Sequence, residues 1–103
     1  MPFFEISTTK YEENIKLLQV LMTKMAVVCD VADGFQFGEP IQRYGWTFFL
    51  MLVDQELYVG IEDEFSDMIK KCKGSKTDEK FTNFLNQYLE SKGCNVKIKM
   101  ASG

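Results

Sequence analysis

Four acidic side chains that lie close together in the chain are the first candidates for chemistry. Glu62, Asp63 and Glu64 are consecutive, and Asp67 follows after two intervening residues. Their carboxylates could bind a divalent cation, but they lack the alternating ligands and the sharp glycine turn of a calcium-binding loop. Consecutive carboxylates also stabilise the first turn of a helix by interacting with its dipole. We therefore predict that the protein holds no metal ion and no other cofactor.

Residue patterns of the common catalytic sites do not occur in this chain. It has no histidine, so no imidazole can serve as a general base or a metal ligand. The glycine-rich phosphate-binding motifs and the nucleophile elbow of hydrolases are also missing. Gly34 and Gly38 frame a short segment, but Glu39 follows them and would repel a phosphate group. These features predict that the protein is not an enzyme and has no catalytic residues.

The charged residues are unevenly distributed along the chain. From Asp30 to Asp67 there are nine acidic residues and a single basic one, Arg43, whereas the two flanks together hold six acids and eleven bases. The acidic stretch is also rich in aromatic residues, including Trp46 and Tyr58. A surface of one charge sign that contains aromatic anchors recognises a partner of the opposite sign. We therefore expect a basic protein partner, and not nucleic acid, because phosphate binding needs clustered lysine and arginine.

Length and composition predict a single domain that spans residues 1–103. The three cysteines, Cys29, Cys72 and Cys94, are far apart and form no Cys-x-x-Cys pair, which is typical of reduced thiols. The N-terminus lacks the basic and apolar regions of a signal peptide. The longest apolar stretch, Ile15–Val31, contains too many polar residues to span a bilayer. We therefore expect a cytoplasmic protein that does not bind membranes.

Hydrophobic periodicity predicts the helices and most of the strands. The first helix begins with a capping box formed by Thr9 and Glu12, and Thr77 caps the last helix. The predicted helices cover residues 9–32, 65–74 and 77–93. The predicted strands cover residues 2–7, 35–37, 46–53, 57–62 and 94–100, with a further short strand starting at Ile41.

The run Trp46–Val53 predicts a strand that is apolar on both faces. Trp46, Phe48, Leu50 and Leu52 would lie on one face, and the alternate residues on the other. Such a strand is either covered on both faces or keeps one face for a partner. A tight turn at 54–56 then leads into 57–62, whose alternating pattern predicts the second strand of a hairpin.

These elements predict an α+β fold: a single compact domain with a mostly antiparallel sheet and two or three helices packed on one face. Lys97 and Lys99 alternate with apolar residues in the last strand. They predict an edge strand, because outward lysines discourage another strand from pairing with it. The predicted contacts with a protein partner lie on or beside the hairpin: Asp54, Glu56, Tyr58, Glu62, Asp63, Glu64 and Asp67.

The order of segments along the chain is also informative. Two aromatic segments that contain glycine come first, at Gly34–Pro40 and Tyr44–Leu50. They are followed by the predicted hairpin at Val53–Val59 and then by a C-terminal helix and strand. In this arrangement the chain resembles bacterial immunity proteins, which neutralise a cognate toxin of contact-dependent or polymorphic toxin systems. The resemblance spans most of the chain and transfers no residue role. It implies tight binding to a toxin domain, often a basic nuclease, by covering its active site or an adjoining surface.

Two other functions are compatible with the same sequence. A phage-encoded inhibitor of a host defence or nucleic-acid enzyme would use the same acidic surface. A small regulatory domain of ferredoxin-like topology would instead bind a ligand in a pocket between its helices and its sheet. The sequence does not determine whether the protein is a monomer or a dimer.

Overall fold

The computed structural model describes residues 3–102, which form one α+β domain around a single hydrophobic core. The predicted fold class is confirmed, although the described residues contain four helices instead of two or three. The predicted first strand began at Pro2, which lies outside the described residues. The strands are β1 (Phe3–Thr8), β2 (Phe35–Phe37), β3 (Ile41–Arg43), β4 (Trp46–Val53) and β5 (Lys97–Ser102), and the helices are α1 (Tyr11–Val28), α2 (Gln55–Glu64), α3 (Ser66–Lys70) and α4 (Thr77–Ser91).

All strand pairs in the sheet are antiparallel, and the strand order is β2-β4-β1-β5, with β3 also paired to β4. The segment Gly38–Pro40 separates β2 from β3. When β2 and β3 are counted as one interrupted strand, the chain follows the β-α-β-β-α-β order of the split βαβ, or ferredoxin-like, topology. β5 lies at one edge of the sheet, which confirms the predicted edge strand.

The tight hairpin of the sheet lies before β4, not after it. Its two-residue loop consists of Tyr44 and Gly45, whose φ angles are 53° and 80°. Positive φ at both central positions is typical of a type I′ turn, which matches the right-handed twist of the strands that it joins. The predicted hairpin between β4 and residues 57–62 is wrong, because residues 57–62 form part of a helix.

Residues 57–62 belong to helix α2. Leu57, Tyr58 and Ile61 are buried, whereas Val59 is 41% exposed, which is the pattern of a helix with one face on the core. The Tyr58 amide donates a hydrogen bond to the Asp54 carbonyl at 2.9 Å, so the helix starts directly after β4. A run of six residues is too short for apolar spacing alone to separate a strand from a helix.

A buried polar network positions the start of α1. The side-chain amide of Asn14 donates through Nδ2 to Thr8 Oγ1 at 2.7 Å and to the Asn95 backbone carbonyl at 3.1 Å. Its Oδ1 accepts from the backbone N–H of Asn95 at 3.3 Å. Thr8 Oγ1 also accepts from the Lys10 amide at 3.1 Å. The predicted capping box is wrong, because no side chain caps α1 at its N-cap position, Lys10. The predicted threonine cap of α4 is also wrong, because the N-cap position there is a lysine without a side-chain hydrogen bond.

The helices cover one face of the sheet. Phe4 on β1 and Met51 on β4 point to this face and are fully buried. Phe81 on α4 packs its ring between those of Phe4 and Tyr58, with ring centroids 5.8 Å and 4.2 Å away. Within residues 3–102, no helix is long and apolar enough to cross a membrane.

A side chain of α4 occupies the free edge of β5. The side-chain amide of Asn86 donates through Nδ2 to the Ile98 backbone carbonyl at 3.0 Å, and its Oδ1 accepts from the Ile98 backbone N–H at 2.9 Å. Asn86 therefore bonds to two of the backbone groups that an additional strand would use, both of them on Ile98. At the opposite edge, β2 and β3 have three residues each and are separated by a segment that contains proline. Short strands and prolines both discourage pairing at an edge.

Candidate functional site

The outward side of α2 carries most of the predicted contact residues. Glu56 and Asp63 are exposed and lie two helical turns apart, with Val59 between them. Asp54 directly precedes the helix, and Asp67 is exposed on α3. Glu56 and Asp63 therefore share the outward face of α2, and the other predicted acids lie on the same helix or next to it in the chain. We call this region the acidic helical surface: Asp54, Glu56, Val59, Glu62, Asp63, Glu64 and Asp67.

The loop after α1 adds further negative charge beside this surface. Asp33 is exposed, and the Gly34 carbonyl that follows accepts a hydrogen bond from the Asp54 amide at 2.8 Å. The end of α1 packs closely on α2, because a Cβ built at Gly60 would lie 2.9 Å from the Cβ of Cys29. Acidic residues more than twenty positions apart in the chain are thus held next to each other.

Burial and negative charges around α2 raise the pKa values of two side chains, Glu62 and Cys29. Burial raises the pKa of the half-buried Glu62, and the negative charges of Asp63 and Asp78 raise it further. Burial also raises the pKa of the Cys29 thiol, and the charge of Glu64 adds to the effect. Every charge that contributes to these two shifts is negative. The neighbouring charges that raise these two pKa values are thus Asp63 and Glu64 on α2 and Asp78 on α4.

Tyr58 is not part of the acidic helical surface, although it was predicted as a partner contact. It is only 8% exposed, and its hydroxyl donates to Asp78 Oδ1 at 3.1 Å. Burial raises the pKa of this hydroxyl, as do the hydrogen bond and the charges of Asp78 and Glu62. The exposed apolar side chains beside the carboxylates are instead Val59 and Met68. Helical periodicity would have identified Val59, had the segment been read as a helix.

A second exposed surface lies on the side of the sheet that faces away from the helices. The predicted division of β4 is confirmed: residues 49, 51 and 53 are buried, whereas Trp46, Phe48 and Leu52 are half-buried and Leu50 is 43% exposed. Phe3 lies opposite Leu52 on this face. We call it the open sheet face: Phe3, Glu5, Ile41, Arg43, Trp46, Phe48, Leu50, Leu52, Lys97 and Lys99.

The space between the helices and the sheet is filled by side chains. Leu18, Met22, Leu85 and Leu89 on the helices are fully buried there, so the region in which a regulatory domain would hold a ligand is occupied by the core. A groove of about 660 Å³ lies instead at the surface, between the start of α1 and the β3–β4 turn with its exposed Tyr44. Its open, polar lining does not form an enclosed ligand site.

The residues that the structure describes contain no group of three or more cysteine, aspartate or glutamate side chains placed to hold a metal ion. Comparison with known proteins gives no match to a family model, to a curated protein or to a solved structure. The resemblance to immunity proteins therefore stays a prediction, and a functional assignment depends on the two exposed surfaces.

Proposed function

We propose that the protein is a non-catalytic, protein-binding inhibitor, and specifically an immunity protein that neutralises a basic toxin of nuclease type in the cytoplasm. The observation that supports this proposal is the acidic helical surface. Its carboxylates come from α2, α3 and the segment before α2, and Glu56 and Asp63 lie on either side of Val59 on α2.

A nuclease presents clustered lysine and arginine to the phosphates of its substrate. An acidic protein surface competes for the same positive field, and it accelerates encounter from about 10⁵–10⁶ M⁻¹s⁻¹ to as much as 10⁸–10⁹ M⁻¹s⁻¹ at low salt. Long-range charge alone does not retain a partner, because exposed ion pairs contribute little to stability. Val59 and Met68 supply the apolar contacts that would slow dissociation.

The experiment begins with affinity capture from the native organism at low and high salt, and with purification of the basic protein that co-elutes. Association of that protein is then measured by stopped flow over a range of salt concentrations. In the test variant, Glu56, Asp63 and Asp67 are all replaced by lysine. We expect association to slow by at least about tenfold at low salt and its salt dependence to flatten.

A matched control variant separates the surface from the net charge. Glu12→Lys, Glu13→Lys and Glu90→Lys reverse three exposed acids on α1 and α4, so the net charge changes by the same amount. If both triple variants associate at the same rate, the acidic helical surface is not the binding site. Protection of cells by co-expression with the captured protein tests the inhibitory role separately.

The same surface also supports a phage-encoded inhibitor of a host defence or nucleic-acid enzyme. The gene neighbourhood distinguishes the two functions, because an immunity gene directly follows the gene of its toxin. The identity of the captured protein gives a second criterion: a toxin encoded beside this chain supports immunity, and a chromosomal host enzyme supports the phage inhibitor.

A further inference from the structure

The open groove beside the β3–β4 turn contains the N-terminus of helix α1. Its lining includes the first residues of the helix, Tyr11, Glu12 and Glu13. The first backbone N–H groups of a helix have no acceptor within the helix, and the N-cap residue, Lys10, makes no side-chain hydrogen bond to them. The same end of the helix carries a partial positive charge. These groups suit an anionic group, as helix N-termini commonly do.

Thr47 on β4 gives an independent indication that this groove receives a polar group. The residue lines the groove and is only 5% exposed. Its hydroxyl takes part in none of the side-chain hydrogen bonds of residues 3–102. Within the same residues, however, every fully buried side-chain oxygen and nitrogen has a hydrogen-bond partner. The Thr47 hydroxyl is therefore not enclosed by the core, but opens into the groove without a partner of its own.

The charged residues of the groove favour a carboxylate over a phosphate. Lys10 and Arg43 are exposed in its lining, and so are Glu12 and Glu13. Two positive and two negative side chains cancel, so the groove offers directed hydrogen-bond donors instead of a strong positive potential. Phosphate binding depends on clustered cations. A carboxylate has a single charge to desolvate, and it accepts charge-assisted hydrogen bonds from the N–H groups at the start of a helix.

Tyr44 lies at the mouth of the groove in a conformation that aromatic residues avoid. Its φ angle is 53°, and its side chain is 100% exposed. A bulky residue with positive φ is an outlier, and asparagine is the residue that this position of a type I′ turn prefers. A fully exposed ring gains no packing energy that could offset the strain. Backbone strain of this kind concentrates at ligand-binding sites, so the ring is placed to pack on a bound molecule.

We propose that this groove binds an acidic segment of another protein through one carboxylate. The carboxylate accepts hydrogen bonds from the first N–H groups of α1 and from the Thr47 hydroxyl. Tyr44 packs on the side chain that neighbours the carboxylate in the segment, because a rigid aromatic ring supplies a large contact area. The groove volume of about 660 Å³ lies in the range of sites that hold drug-sized ligands, so a dipeptide fits.

Titrations of the isotope-labelled full chain, followed by two-dimensional amide NMR, test this binding with small probes. One probe is the N-acetylated dipeptide amide of tryptophan and aspartate, and a second is N-acetyl-tryptophanyl-glycine with a free terminal carboxylate. The neutral control is the first dipeptide with asparagine in place of aspartate. We expect a dissociation constant of about 1 mM for the carboxylate probes, with saturable shifts of the amides at residues 11–13 and 47, and none for the neutral control. The tighter of the two carboxylate probes identifies a side chain or a chain terminus as the source.

Thr47→Val removes the hydroxyl and keeps the shape of the side chain. It should weaken the binding of both carboxylate probes about fivefold, because one hydrogen bond is lost. It should not lower the melting temperature, since the hydroxyl has no partner in the fold. Thr23→Val is the matched control, because Thr23 lies on the exposed side of α1 outside the groove, and it should leave the affinity unchanged.

Three more variants test the ring and the charges. Tyr44→Asn should weaken binding roughly three- to tenfold and raise the melting temperature by roughly 4–8 °C through relief of the strain. Lys10→Gln should weaken binding about threefold, and Glu13→Gln should strengthen it about threefold, because a nearby charge acts on the bound carboxylate with its own sign. Opposite effects of these two variants locate the negative charge of the probe at the start of α1.

Four results would each overturn the proposal. The first is the absence of saturable shifts in the groove with either carboxylate probe, and the second is equal binding of the neutral control. The third is a Thr47→Val variant that keeps full affinity or loses stability, because the hydroxyl would then have no role in binding or would have a partner in the fold. The fourth is inorganic phosphate that binds more tightly than both carboxylate probes.

This site and the proposed function can fail independently. The groove lies at the start of β4, whereas the acidic helical surface begins at Asp54, directly after its end. The eight residues of β4 separate the two by about 27 Å. Lysine substitutions at Glu56, Asp63 and Asp67 should leave the affinity for the carboxylate probes unchanged. Thr47→Val should leave the association rate with the captured basic partner unchanged.

Discussion

Replacing Asn14 with alanine is expected to lower the free energy of unfolding by about 2 kcal/mol. Asn14 is 6% exposed, and its side chain makes three hydrogen bonds that join β1, α1 and the segment before β5. Each such bond contributes about 1 kcal/mol net, and the bond of 3.3 Å contributes less. The higher helix propensity of alanine offsets about 0.5 kcal/mol of the loss.

Urea unfolding followed by circular dichroism measures this change. The urea midpoint should fall while the slope stays constant, because the surface exposed on unfolding is nearly the same. The melting temperature should drop by roughly 8–16 °C. Thr23→Ala is the control, since Thr23 lies on the exposed side of the same helix and should change stability by no more than about 0.5 kcal/mol. If Asn14→Ala is as mild as the control, the network does not determine where α1 begins.

Three further variants test the Asn86 cap on the β5 edge, the contact between Gly60 and Cys29, and the raised pKa of Glu62. Asn86→Ala should cost about 2 kcal/mol and increase light scattering with concentration, because it frees the edge of β5; unchanged scattering would contradict the capping role. Gly60→Ala should destabilise by roughly 1–3 kcal/mol through its clash with Cys29, despite its better helix propensity, and adding Cys29→Gly should recover most of the loss in urea unfolding. The raised pKa of Glu62 means that the folded state binds this proton more tightly than the unfolded state, so stability falls as pH rises above the ordinary value of 4.5. Glu62→Gln should therefore stabilise the protein at neutral pH and have no effect well below pH 4.5, and a gain of equal size for Glu64→Gln would refute this reasoning.

Long periodic segments could be predicted from the sequence, and short ones could not. The apolar spacing of α1 and α4 extends over four or more turns, so only a helix accommodates it. The segment that became α2 has apolar residues at 57, 59 and 61, which suit a strand as well as a helix. Tertiary packing decided between them, because Leu57, Tyr58 and Ile61 fit the core while Val59 remains exposed.

The candidate sites show the same limit: local patterns could be predicted from the sequence, and contacts between distant residues could not. Local charge density is visible in the sequence, and the structure places the exposed Glu56 and Asp63 two turns apart on α2. Their role as partner contacts stays a prediction. The role of Tyr58 could not be predicted, since its ring packs on Phe81, twenty-three positions later in the chain. The polar contacts of Asn14 and Asn86 were also missed, because each joins segments that only the fold brings together.

The sequence alone determined the α+β class, the central strand with two apolar faces and the segregation of acidic charge, since each of these depends on neighbouring residues. Only the tertiary structure decided which face of that strand stays uncovered and which groups close the edges of the sheet. It also placed Val59, instead of an aromatic ring, between the exposed Glu56 and Asp63. These outcomes depend on contacts between residues far apart in the chain, and local spacing carries no information about them.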